Sequence, residues 1–460
     1  MSYGGEFGPQ IRRVKLEKQS EFRIEVQRTR PLRLRLLDGG AEIFGYELPH
    51  EVWFTFPPRM IFAVFTWYGA TIETDGITEN EYTSCETPMM SYLRVHNSLL
   101  VERHRSTSST RDSVPSQGPR VIIVGDTDSG KSTLAKMLLN WAAKDGWKPT
   151  YVDLNIGQSS ITIPGTVSAT PIEMPVDPVE GFPLDKAIVH YFGHTTPTTN
   201  LRLYKSLVEE LARELKQESF GNAESRASGM VIDTMGFIVR QGYEVILCLL
   251  LLHAIRTFNA TVVIVLGQVM YLISLFFGLL LNQETYIDLS HFQEETLVND
   301  LKKDLKFKKS LQFVNLEKSA GVFFRGSDFR KTLRNSNIQN YFYGVTNDLT
   351  VYTKTVKFSD VQVYQIGDFP ETSSSTSARR RGNDPLKITP VAIDEHLVNK
   401  VLAISYAKQP DHQIISSIVA GFVCIKNVNT GEERITYISP SAAELPSKTL
   451  ILGTLEWRVT

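Results

Sequence analysis

At 460 residues the chain exceeds what one ordinary core holds, and 42% hydrophobic with 22% charged residues describes a globular protein of two or three domains. A formal net charge of −1 excludes a global basic field for nucleic acid, so any RNA or DNA contact must come from a local patch. Cys85, Cys248 and Cys424 lie far apart, give neither metal nor disulfide spacing, and fit a reducing compartment.

The start, "MSYGGEFGPQIRRVKLEKQ", has no apolar stretch and predicts no signal peptide. Residues 11–100 read as strands: "RLRLLDGGAEIFGYEL" and "IFAVFTWYGATIET" carry β-branched and aromatic residues, with Gly39-Gly40 and Gly69 as turn signals. Residues 103–119, "RHRSTSSTRDSVPSQGP", are polar and Ser-rich and predict a linker whose three arginines are solvated.

From Arg120 strands and helices alternate, the signature of an α/β parallel-sheet domain. "RVIIV" reads as a strand, "KSTLAKMLLNWAAK" as a helix, and "PTYVDLN", "MVIDT" and "TVVIVL" as further strands, with "LRLYKSLVEELARELKQE" an amphipathic helix between. Between the first strand and helix, Gly125 to Ser132 fits G-x-x-x-x-G-K-[ST]. Such a loop turns backbone N–H groups and a helix N-terminus toward phosphates, with Lys131 reaching the β and γ phosphates and Ser132 on Mg²⁺. An acidic residue at the end of a neighbouring strand completes such a site, and Asp153 and Asp233 are the two candidates. Asp153 and Asn155, two apart on a strand, are expected on one side of it.

Residues 261–281, "TVVIVLGQVMYLISLFFGLLL", are long and apolar enough to span a bilayer, but "TVVIVL" also suits a strand buried on both faces. A third block begins near residue 347 with strand-like "VKFSDVQVYQI" and "IVAGFVCIKNVNTGEERITYI". The stretch 370–385, "PETSSSTSARRRGNDP", reads as a flexible loop.

Taken together, "GDTDSGKST", "YVDLNIGQSSITIPGTVSATPIE", "YFGHTTPTTN", "FVNLEKSAGVFFR" and "IQNYFYG" resemble the eukaryotic RNA 5′-hydroxyl kinases that double as subunits of the pre-mRNA cleavage and polyadenylation factor. The likeness runs through nearly the whole chain; the glycine loop is widely shared, whereas "IGQSSITIPGT" with "FGHTTPTTN" is far more specific. The resemblance implies an α/β fold: a P-loop NTPase kinase core with a parallel sheet (120–346), flanked by an N-terminal β-sandwich (1–102) and a small β-rich C-terminal α+β domain (347–460). Against the family, 245–249 and 269–293 read as inserts, of the kind unspliced introns leave, and not as a membrane anchor.

The resemblance also implies a reaction, transfer of the γ-phosphate of ATP, with Mg²⁺, to the 5′-hydroxyl of RNA. Lys131, Asp153, Arg325 and Arg330 would be its catalytic residues, the two arginines belonging to a lid over the transferring phosphoryl group. ATP would be held by Glu21 at the adenine and by Gly125, Asp126, Thr127, Asp128, Ser129, Gly130, Lys131, Ser132 and Thr133. Ser132 and Asp153 would hold the metal, and Gln158, Thr195 and Phe237 the acceptor strand. Implied partners are RNA 5′ ends, other cleavage and polyadenylation subunits and the tRNA splicing endonuclease, with a nuclear location and no membrane.

Four positions depart from the family pattern. Active members carry aspartate before "VGQ", where this chain has Asn155; the family's N-T-x-G-W is "DTMGF", with Asp233 and Phe237; and Ile61 stands where an adenine-site lysine is expected. Phenylalanine still stacks on a base, over a smaller face. Two readings follow, an RNA 5′-kinase in mRNA 3′-end and tRNA processing, or a catalytically inactive, ATP-bound scaffold of the same complex. A membrane ATPase rests on hydropathy alone.

Overall fold

The computed structural model describes residues 11–108, 117–219, 222–236, 243–267, 311–322, 324–367, 384–407 and 413–458. The N-terminal strands are β1 (Ile11–Leu16), β2 (Ser20–Val26), β3 (Leu32–Gly39), β4 (Glu42–Ile43), β5 (Tyr46–Glu47), β6 (Phe54–Phe56), β7 (Ile61–Thr66), β8 (Ala70–Asp75) and β9 (Thr78–Ser84). They form two sheets, β1-β8-β3-β6 and β5-β4-β7-β2-β9. In β3, "LRLRLLDG", Leu32, Leu34 and Leu36 are buried while Arg33 and Arg35 face outward, the period of two that a half-buried strand requires. Phe22, Ile24, Phe56, Val64 and Ile72 complete the sandwich core.

Helix α1 (Met89–Ser108) corrects both the all-strand reading up to residue 100 and the linker expected from 103. Met89, Tyr92, Val95 and Leu99 recur every three or four residues and bury against the kinase core. Arg103 lies a turn further on the same face and is 1% exposed, its Nε donating to Ser228 O at 3.0 Å. One of the three arginines expected in solvent is therefore buried. Residues 109–116 of the expected linker lie outside the described residues.

The central sheet comprises β10 (Arg120–Gly125), β11 (Thr150–Asp153), β12 (Thr166–Pro171), β13 (Ile188–Tyr191), β14 (Met230–Asp233), β15 (Val262–Leu266) and β16 (Gln312–Leu316), in the order β13-β12-β11-β14-β10-β15-β16. The strands from β11 to β16 in that order pair in parallel, whereas β12 and β13 run antiparallel at one edge, so the sheet is mixed. Val121, Ile123, Val262 and Ile264 pack against α1 and α2 (Lys131–Lys144), and Ile122, Val124, Val263 and Val265 against α3 (Leu201–Ser219) and α5 (Tyr243–Thr257); the short α4 (Ala223–Ser228) precedes β14. Burial on both faces explains why "TVVIVL" reads as a continuous apolar run.

Among the described residues no helix is long and apolar enough to cross a membrane. Residues 245–249 form part of α5, where Leu247, Cys248 and Leu249 are buried in the core; 269–293 lies outside the described residues.

Helix α6 (Ser327–Tyr343) leads to the C-terminal sheet of β17 (Tyr352–Lys357), β18 (Gln362–Ile366), β19 (Ile388–Pro390), β20 (Lys400–Ser405), β21 (Val419–Asn429), β22 (Arg434–Ser439) and β23 (Thr449–Glu456). Its order is β17-β22-β21-β20-β23-β18-β19. "VKFSDVQVYQI" is broken into β17 and β18 by a tight helical turn at Phe358–Asp360. Of the expected loop 370–385, Asp384 and Pro385 are described, and both reach back to the core: Arg202 pairs with Asp384 at 3.1 Å and Asn200 Nδ2 donates to Pro385 O at 2.7 Å.

Candidate functional site

The parallel register brings the carboxyl ends of β10, β11, β14 and β15 to one edge, where open α/β sheets hold their ligands. The glycine loop leaves β10 there. A side chain at Gly125 would stand 2.7 Å from Leu266 O, and Gly130 has φ of 93°, so the loop needs glycine at both positions. Helix α2 then starts at Lys131 with its N-terminus toward the same edge.

Lys131 is 6% exposed and turned back on its own loop, its Nζ donating to Gly125 O at 3.2 Å and Asp126 O at 2.7 Å. Burial lowers its pKa to about 8, against the pull of Asp233, Asp126 and Asp128. Ser132 Oγ donates to Asp233 Oδ2 at 2.5 Å. Asp233 is fully buried and its Oδ1 has no hydrogen-bond partner; burial raises its pKa, opposed first by the Lys131 charge and then by the Ser132 hydroxyl.

Asp153 occupies a different situation from the one expected. Its Oδ1 accepts from Asn155 N at 2.9 Å, and its Oδ2 from Ser160 N at 2.6 Å and Ser159 Oγ at 3.2 Å. Both oxygens are thus spent on closing the turn after β11. Burial, and then the charge of Asp233 on the adjacent strand, raises its pKa to about 7. The carboxylate on the P-loop hydroxyl is Asp233, in the place expected for Asp153. Asn155 lies beyond the end of β11, not on the strand with Asp153, and lines the cavity.

That cavity, about 380 Å³, joins three walls. Thr127, Asp128, Ser129, Gly130, Lys131, Ser132 and Thr133 form the floor; Gly125 and Asp126 contribute the carbonyls that take up Lys131. Glu21, Ile61 and Tyr82 of the β-sandwich stand at one side. Both Glu21 oxygens are engaged, Oε1 by Arg23 and Oε2 by Thr87 Oγ1 at 3.1 Å. Asn155, Gln158 and Thr195 stand at the other side, with Gln158 Nε2 buried and unpartnered.

The lid closes the top. Asp128, at a left-handed φ of 58°, accepts both Arg330 Nη2 at 2.7 Å and the Arg325 backbone N–H at 3.0 Å on one carboxylate oxygen. Arg334, one helical turn after Arg330, also lines the cavity, and burial followed by the Arg330 charge lowers its pKa. Further along α6, Asn337 Nδ2 donates to Ser159 O at 3.2 Å, so the helix bridges the phosphate floor and the acceptor wall.

Phe237 lies outside the described residues. Gly236 before it is pressed onto Thr127, where a side chain would come within 2.5 Å of the Thr127 Cα. Sequence reasoning placed Asp233 among two candidates without giving it the metal, and left out Arg23 and Arg334. Arg334 carried a signal, the i,i+4 spacing from Arg330 that puts both on one helix face.

Among the described residues no group of three or more carboxylate, imidazole or thiol side chains gathers as a metal site. A hydroxyl and one free carboxylate oxygen at a phosphate loop instead suit Mg²⁺, which takes one or two carboxylates plus substrate phosphates.

Three family models tile the chain: the N-terminal β-sandwich domain of polyadenylation factor over residues 15–106, the mRNA cleavage and polyadenylation factor CLP1 P-loop over 125–276 and 282–344, and the pre-mRNA cleavage complex II protein Clp1 over 349–458. Protein CLP1 homolog 5 of Arabidopsis thaliana is 77% identical, over 99% of this chain and 100% of its own length. The polyribonucleotide 5′-hydroxyl-kinase Clp1 of Gallus gallus is 37% identical over 98% and 97%. The solved wild-type Clp1p–Pcf11p complex superposes with a TM-score of 0.76 at 22% identity, covering 97% of this chain and 98% of the solved one.

Proposed function

This chain belongs to the CLP1 family of mRNA cleavage and polyadenylation factors, and from that premise we propose that it is an ATP-dependent RNA 5′-hydroxyl kinase of the RNA-processing machinery. The observation that carries the reading is the single cavity into which the P-loop, the acceptor wall of Gln158 and Thr195, and the lid arginines all converge.

Phosphoryl transfer asks a protein mainly to position two oxygens in line and to neutralise charge. The loop amides and the α2 N-terminus hold the nucleotide phosphates, and Lys131 leaves its own carbonyls to reach them. Arg325, Arg330 and Arg334 bring positive charge from the lid to the equatorial oxygens. Gln158 and Thr195 orient the RNA end. Ser132 would hold the Mg²⁺ that accompanies ATP, and the ion would supply charge neutralisation at the phosphates.

We further propose docking onto another cleavage-factor subunit of the Pcf11 kind, the partner in the solved Clp1p complex, and, from the resemblance alone, work beside the tRNA splicing endonuclease and a nuclear location. A second reading, an ATP-holding scaffold without turnover, is favoured by one observation, the uncharged Asn155 in the cavity wall while Asp153 is tied into the turn after β11.

Incubating the purified chain with γ-labelled ATP, Mg²⁺ and a 5′-hydroxyl RNA oligonucleotide decides between them. Label on the RNA that disappears in Lys131→Ala establishes the kinase. Bound, unhydrolysed ATP with unlabelled RNA establishes the scaffold.

A further inference from the structure

Two departures from the family pattern become one event when the strands are paired. β11 and β14 are parallel neighbours with Asp153 opposite Asp233, so the residues that follow them flank a single crevice at the edge of the phosphate loop. Relative to the family pattern, position 155 at one side has lost an acid and position 233 at the other has gained one.

The geometry at position 233 is that of a ligand and not of a filler. Asp233 Oδ2 is 2.5 Å from Ser132 Oγ, and Oδ1 is buried without a partner. A fully buried carboxylate with one oxygen unsatisfied is costly unless a proton or a cation completes it, and the Tyr151 hydroxyl and Thr234 N–H are its other polar neighbours. Lys131 is near enough to oppose the burial, yet both its recorded hydrogen bonds go to loop carbonyls. Asp153 is the poorer ligand, because three hydrogen bonds from Asn155, Ser159 and Ser160 already bind its oxygens into the turn after β11.

We infer that Asp233, together with the Ser132 hydroxyl, holds the Mg²⁺ that accompanies ATP in this chain, and that Asn155 and Asp233 form a compensated exchange that preserves the metal site by relocating its carboxylate. The inference rests on the ATP-binding kinase reading and adds to it a named metal-holding residue. It also removes the main objection to activity, since Asn155 by itself signifies a moved charge and not a lost one. Asn155 lines the cavity with an uncharged amide and leaves the acceptor side less negative for an incoming RNA phosphate.

The test reads nucleotide affinity apart from turnover. ATP binding is measured by calorimetry on the full chain, once with Mg²⁺ and once with EDTA, for wild type, Asp233→Asn, Ser132→Ala and the double variant Asn155→Asp/Asp233→Asn. Wild type is expected to bind ATP about 10-fold or more tightly with Mg²⁺, and Asp233→Asn to lose that gain while keeping its EDTA affinity. The double variant regains it. Ser132→Ala, which leaves the buried carboxylate in place, loses part of it, so the inference stays testable should Asp233→Asn fold poorly. Undiminished Mg²⁺ dependence in both single variants, or none in wild type, overturns the metal assignment while leaving ATP binding intact. Absence of ATP binding under either condition overturns the kinase reading as well.

Discussion

Where the β-sandwich meets helix α2, side-chain hydrogen bonds join them: Asn140 Nδ2 donates to Phe44 O at 2.8 Å and Trp141 Nε1 donates to Glu42 Oε2 at 3.2 Å. Where the C-terminal sheet meets the same core, the contacts are aromatic and backbone-to-backbone. Phe342 stacks on Trp457 with centroids 5.1 Å apart, Tyr341 and Tyr191 pack on Phe422, and Thr454 N donates to Gly193 O at 2.8 Å. The sandwich keeps a core of its own and adds Phe65 to the α2 cluster, whereas one whole face of the C-terminal sheet, with Val401, Ala403 and Phe422, belongs to the same hydrophobic cluster as the central sheet and its other face keeps a separate core.

The difference teaches which part of the cleft each neighbour governs. The sandwich seats the P-loop helix and stands at the Glu21 side of the cavity. The C-terminal strand β23 backs the acceptor loop, where His194 Nδ1 shares a hydrogen bond of 3.0 Å with Thr454 Oγ1 next to Thr195. The joints also titrate with opposite sign. Burial raises Glu42 to about 7 at the first and lowers His194 to about 4 at the second.

The comparison is broken most severely by Trp457→Ala, which removes the stacked partner of Phe342 and is expected to cost about 3–5 kcal/mol. If core and C-terminal sheet are one unit, urea unfolding followed by two probes moves as a single transition; two separated transitions refute the shared core. Gly453→Ala is next. Its new methyl would stand 2.4 Å from Gly193 O, and about 1–3 kcal/mol of overpacking is expected. Because the strain falls on the acceptor loop, KM for RNA rises while the Kd for ATP holds.

Asn140→Ala tests the polar joint. It leaves Val176 N and Phe44 O unpaired at a cost of about 1–3 kcal/mol, and earlier proteolytic release of the sandwich is the measurement that follows it.

The smallest effects are in pH. Glu42 has a higher pKa folded than unfolded, so its contribution is complete below about pH 4.5 and is lost as pH rises through 7; Glu42→Gln flattens that decline in melting temperature. His194 has a lower pKa folded, so its contribution is complete above about pH 6.5 and is lost as pH falls toward 4; His194→Asn flattens that acid limb.

Much of the fold was legible because its signals are local. "RVIIV" and "TVVIVL" are apolar throughout because both faces of their strands are buried, and Gly125 to Ser132 builds most of a phosphate site from consecutive residues. The helix through residues 89–108 was not legible, because its stripe of Met89, Tyr92, Val95 and Leu99 is interspersed with polar residues and ends in an arginine that reads as solvated. Arg103 is buried only because α1 meets the Ser228 carbonyl across 125 residues of sequence.

The sequence by itself determined the nucleotide loop, the three-block order and the family, since each depends on residue type at short spacing. Tertiary structure decided which carboxylate serves the loop. Asp153 and Asp233 end neighbouring strands and are alike in sequence, but the turn after β11 directs three donors onto Asp153, while Asp233 faces a hydroxyl 101 residues away. It likewise decided that Asp128 anchors the lid through an arginine 202 residues distant. A side chain's partner is set by how strands pair and where the following turn spends its hydrogen bonds, and neither is encoded within a single motif.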